Sequence, residues 1–169
     1  QLARLYLLAG QQEQALGVYE DYVSAFPNDL TSKFAFAALL IEQRELGKAE
    51  PIVDDLLTLN NTHPLLNTFK GIIESANGNY AQALDYLEVA IQNGRSDQIV
   101  RLVAGFSAYQ IQDFELLSRL EDDGIVDVQL PEDERSSQFN LENLILKVLK
   151  SKKHLADEIT GDNWKELFN

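Results

Sequence analysis

Two histidines, His63 and His154, are the only imidazoles in the 169 residues, and there is no cysteine. They lie far apart in the chain, and neither belongs to an H-E-x-x-H helix that would bring two ring nitrogens onto one metal. His63 therefore reads as a turn residue. The acidic groups Asp54-Asp55 and Glu121-Asp122-Asp123 lack the alternating ligands and fixed glycine of a calcium loop, so they read as solvated helix faces. Asn60-Asn61-Thr62 has the form of a glycosylation acceptor, yet Asn and Thr are also what a turn between helices needs for capping. No glycine-rich phosphate loop, nucleophile elbow or Ser-His-Asp order is present. These residues specify neither an enzyme nor a metal, and they imply no cofactor.

Charge narrows the partners. With 14 basic and 27 acidic side chains the chain carries a formal charge of −13, and most of that excess falls in residues 1–124. Nucleic-acid binding draws its affinity from Lys and Arg displacing counterions, so nucleic acid is disfavoured as a partner. The single basic cluster, Lys147, Lys150, Lys152 and Lys153, reads as the solvated face of a helix, with docking against the acidic part as the alternative. No apolar run approaches the roughly 20 residues that span a bilayer, so no direct membrane insertion is expected of these residues. Without cysteine there is no redox clue to compartment.

The elements that would position any functional surface are periodic. Ala15, Ala49 and Ala83 stand 34 residues apart, as do Ala37, Gly71 and Gly105, and as do Tyr19, Val53 and Leu87. Small residues thus recur in register with bulky apolar ones. Such a unit cannot bury its apolar stripe alone; neighbouring copies complete one another's cores, which predicts an all-α solenoid of antiparallel helix pairs. Gly10 ends the first helix of the first copy, and Pro27 stops its second helix. Asn28 and Asp29 cap the next one. The second copy runs from Leu30 to about His63, with Pro51 expected near the end of the first turn of its second helix. The third opens with Pro64 at a first helical position and turns at Asn77-Gly78-Asn79-Tyr80. The fourth starts near Asp97 as a plausible N-cap and loses the pattern at Leu117 and Glu121. Residues 125–169 follow no repeat. There, an extended crossing segment followed by helices carrying Leu141, Leu144, Ile145, Val148 and Leu149, with Trp164 and Phe168 beyond, is expected to cap the array. The organisation expected is therefore about four helix pairs over 1–124 and a capping segment over 125–169. Because Gln1 falls inside the first copy, the chain reads as a piece of a longer array.

The period and its contents resemble the tetratricopeptide repeat family, with Ala37, Gly71 and Gly105 as the small residues of the first helices, Ala15, Ala49 and Ala83 as those of the second, and Pro27 as a terminal proline. Departures are Asn61 and Arg95 where that proline would recur, a truncated first copy and a decayed fourth. The resemblance implies a right-handed superhelix whose first helices line a concave groove for partner segments. Carried over residue by residue, the groove comprises Phe34, Ala38 and Ile41, then Leu65, Thr68 and Ile72, then Leu102, Phe106 and Tyr109. Where relatives that hold a free carboxylate have Lys, Asn and Arg, this groove is apolar, which disfavours a carboxylate clamp. It suits a protein or peptide, such as an amphipathic helix. Ordinary core packing of these same residues is the competing reading, and filling of the groove by residues 132–169 is a third. A non-catalytic protein-interaction scaffold is thus expected. The alternative is a spacer or self-associating segment of a larger protein, of the kind that serves polysaccharide export or protein sorting in the bacterial envelope.

Overall fold

Where each first helix begins is decided by one recurring position. In a computed structural model, which describes residues 2–113 together with Glu115, Leu116 and Arg119, Asp29, His63 and Asp97 are the N-caps of three helices and stand 34 residues apart. Each side chain accepts a backbone N–H that the first turn leaves without an intrahelical partner: Asp29 from Ser32 at 3.1 Å, His63 from Leu66 at 3.3 Å, and Asp97 from Ile99 and Val100 at 3.0 and 3.2 Å. The described helices are α1 (Leu2–Leu8), α2 (Gln12–Ala25), α3 (Leu30–Glu42), α4 (Leu46–Leu59), α5 (Pro64–Ala76), α6 (Tyr80–Gln92) and α7 (Gln98–Gln110). No strand occurs among the described residues.

Helix ends follow the same period. Gly10, Arg44, Gly78 and Gln112 have φ of 73°, 63°, 83° and 58°, one left-handed residue every 34 positions, closing α1, α3, α5 and α7. The following residue reaches back to the last turn in every case, with Gln11 donating to Tyr6, Glu45 to Leu40 and Asn79 to Glu74 at 2.8 Å, and Asp113 to Ala108 at 2.9 Å. This is the hydrogen-bond pattern of a Schellman motif. The sequence announces it at Gly10 and Gly78, where a missing Cβ removes the steric penalty, and conceals it at Arg44 and Gln112, which adopt the same conformation against that penalty.

Two compact units divide between Leu59 and Asn60. In the first, α3 packs on both α2 and α4, and α1 on α2. Its core holds Ala15, Phe34, Ala37, Leu40, Ala49, Val53 and Leu56, each at most 1% exposed, and Tyr19 of α2 stacks on Phe36 of α3 with centroids 6.2 Å apart. In the second, α5 packs on α6 and α7, and α6 on α7, around Leu66, Phe69, Ile73, Ala83, Leu87, Val100 and Val103. Burying each of the larger aliphatic side chains contributes about 1.5–3 kcal/mol.

The small-residue ladder is a packing requirement. A Cβ placed on Gly71 would lie 2.7 Å from both Cγ and Cδ2 of Leu87 and 3.3 Å from the Ala83 carbonyl oxygen. Positions 71, 83 and 87 were singled out by period alone, and they meet where α5 crosses α6. One local expectation shifts: helix α4 begins at Leu46, so Pro51 sits in its second turn and not at the end of its first. On α2, Tyr22 is 42% exposed and packs on Phe26. Most of the second helix of the fourth copy, and the whole of the crossing segment, the capping helices and the lysine cluster, lie outside the described residues.

Candidate partner-binding face

The nine residues expected to line a groove fall on recurring positions of the first helices. Phe34, Thr68 and Leu102 are equivalent by the 34-residue period, as are Ala38, Ile72 and Phe106; Ile41 and Tyr109 share a third position, which Ser75 fills in α5. Leu65 stands in the first turn of α5. They therefore belong to one face of α3, α5 and α7, taken helix by helix.

Burial sorts them sharply. In the first unit Phe34, Ala38 and Ile41 are 1–2% exposed, which makes them core side chains of α3. In the second unit Leu65, Thr68, Ile72 and Phe106 are also buried, whereas Leu102 is half-buried and Tyr109 is 39% exposed. The Thr68 hydroxyl donates to the Pro64 carbonyl at 2.9 Å, so its polarity is spent on its own helix. Phe106 meets Tyr80 edge-on, with centroids 5.9 Å apart at 71°, a favoured aromatic geometry. The part of this face open to solvent is at the C-terminal end of α7, where Tyr109 and the adjoining Ile111, 42% exposed, present apolar surface.

Buried polar groups stiffen α5. Its residues Leu65 through Ser75 are all buried, an all-round burial that the sequence reading missed. The Lys70 ammonium lies 3.1 Å from Glu74 Oε1, and the Asn79 side-chain amide donates to Glu74 Oε2 at 2.8 Å. Burial pushes the Glu74 carboxyl up, but the hydrogen bonds from Asn79 and Lys70 and the Lys70 charge outweigh it, holding the group below its ordinary value. The i,i+4 spacing of Lys70 and Glu74 was the available signal, and it does not distinguish a buried pair from a surface one.

No group of three or more His, Asp or Glu side chains that could hold a metal ion occurs among the described residues, and no described helix is long and apolar enough to cross a membrane. Asn60-Asn61-Thr62 forms the turn expected of it, with Asn60 Oδ1 accepting from the Thr62 amide at 3.3 Å and its hydroxyl at 3.2 Å. The second unit also has a cleft of about 350 Å³, lined by Leu84, Glu88 and Ile91 of α6 and by Ala104, Ile111 and Leu116 among others. None of the nine groove residues lines it.

No family model and no curated protein matches the chain. Among solved structures it is similar to a double mutant of MamA, "MamA RS-1 ArsTM", with a TM-score of 0.64 and 19% identity over 98% of this chain and 90% of that one. It is similar also to MamA residues 41 to the end from Desulfovibrio magneticus RS-1, with a TM-score of 0.64 and 18% identity over 98% and 89%. Likeness at this identity shows the fold: the chain is an all-α helical-repeat solenoid.

Proposed function

We propose that the chain is a non-catalytic scaffold that binds a protein or peptide on the first-helix face of its repeats. The reading is carried by the exposure of Tyr109 at the end of α7, on the helix face that also carries half-buried Leu102 and buried Phe106. An aromatic side chain held on a rigid, buried base loses little entropy on binding, and such residues dominate interface energetics. Leu65, Thr68, Ile72 and Phe106 would support the face from beneath. Phe34, Ala38 and Ile41 would form the corresponding base in the first unit. A photo-crosslinking side chain in place of Tyr109, compared with one in place of Glu88 on α6, tests this in cells. Protein adducts are expected at position 109 and not at 88; the reverse would sink the reading.

A second reading, as a structural or self-associating segment, is favoured by one observation. Leu2, Leu5 and Leu8 of α1 are 54%, 61% and 74% exposed, an apolar stripe on the outside of the first unit. Sedimentation over a concentration series, with Leu5→Glu as the control, decides it. Association that disappears in the variant supports self-assembly, and a monomer at all concentrations excludes it.

A further inference from the structure

The N-cap position 29, 63, 97 carries aspartate in two repeats and histidine in the third. We infer that His63 is an acid-sensitive latch on the start of α5, which holds the helix while the imidazole is neutral and releases it on protonation. This inference is independent of the partner-binding reading.

The geometry requires the neutral ring. His63 is 4% exposed, and its Nδ1 accepts the Leu66 N–H at 3.3 Å. An imidazole that accepts at Nδ1 carries its proton at Nε2; the doubly protonated imidazolium has two N–H donors and no acceptor, so the cap bond is lost when the second proton arrives. The new charge would also stand at the positive end of the α5 dipole. Aspartate at the same place has the opposite character: its anion both accepts hydrogen bonds and complements that dipole, and an ordinary aspartate stays ionised well below pH 6.

The surroundings add to the bias. From the connection between α6 and α7, the Arg95 guanidinium acts on the ring; its side chain is largely buried and is 2.6 Å from Asp97 Oδ2. Asp97 is already engaged, pairing with Arg95 and accepting the first-turn amides of α7. From α5 itself, Asn67 donates its side-chain amide to the His63 carbonyl at 2.9 Å. Burial first, and Arg95 second, hold the imidazole below its ordinary value of 6.5. Below pH 6.5 the unfolded chain therefore binds a proton that the folded chain resists. The stability contributed by neutral His63 is complete above 6.5 and is lost as pH falls through the lowered folded value.

Amide hydrogen exchange followed by NMR on the intact chain tests the latch, with Ser32 and Val100 as internal references because carboxylates cap them at the equivalent positions. Between about pH 7.5 and pH 5 the protection factor of Leu66 should fall at least about fivefold more than those of Ser32 and Val100, as expected when a cap worth about 1 kcal/mol is removed. His63→Asn, which caps without titrating, and His63→Asp, which restores the residue of the other two repeats, should both remove the difference. Equal losses at all three amides, or a loss in His63→Asn as large as in the native chain, would overturn the inference. Should neither variant fold, the ring's own titration decides: a midpoint below the ordinary value supports the latch, and one at or above it overturns it.

Discussion

Ser75 of α5 and Ser107 of α7 hold each other by a single hydrogen bond of 2.9 Å between their hydroxyls, although 32 residues separate them in sequence. Both side chains are buried, at 2% and 0% exposure. The bond ties one first helix to the next, the contact on which stacking of repeats depends. Breaking one side leaves the other hydroxyl buried and unsatisfied. Ser107→Ala should cost about 1–3 kcal/mol, and Ser75→Ala/Ser107→Ala less than the sum of the single changes. Chemical denaturation of the three variants measures the coupling, and strict additivity would show that the bond contributes nothing.

The crossing of α5 and α6 leaves no room at Gly71. Gly71→Ala should destabilise the second unit by roughly 1–3 kcal/mol despite the better helix propensity of alanine, because Leu87 Cγ lies 2.7 Å from the added methyl and Leu87 is fully buried. Propensity acting alone would make the variant more stable. The sign of the shift in denaturation midpoint therefore separates packing from propensity.

Gln112 takes a left-handed conformation that Gly10 and Gly78 take without strain. Gln112→Gly should leave the fold unchanged and stabilise it by up to about 1 kcal/mol, the relieved strain being offset in part by the greater freedom of glycine in the unfolded chain. Gly78→Ala should move the other way. Thermal unfolding of both variants checks the pair, and shifts of the same sign would contradict the period assigned to these turns.

Leu5 and Leu39 are equivalent by the repeat, but Leu39 is 2% exposed and Leu5 is 61% exposed. Leu39→Ala should therefore cost about 2–5 kcal/mol, and Leu5→Ala well under 1 kcal/mol. Equal losses measured by denaturation would mean that α1 is covered in solution.

Period alone was enough to define the helix pairs. Ala15, Ala49 and Ala83 and the ladder through Gly71 mark the crossings, because only a small residue lets two backbones approach, and that demand acts at one position at a time. Asp29, Pro64, Gly78 and Asp97 mark the helix boundaries for the same local reason: caps and turns depend on a few consecutive residues. His63 was legible as a turn residue, but its role as a cap appears only when the structure sets it beside Asp29 and Asp97.

What the sequence by itself determined is the repeat, its register and its helical class, since each follows from spacing and local stereochemistry. Only the tertiary structure decided which members of the first-helix face are core and which are surface. Phe34 and Tyr109 are both apolar-faced aromatics at groove positions, yet one is 1% and the other 39% exposed. Helical periodicity gives the direction in which a side chain points; its burial depends on what other helices bring to that place, and hydrophobic stabilisation follows the area they cover. The same reason kept Lys70 and Glu74 hidden as a buried pair, because their spacing would be identical on an exposed helix.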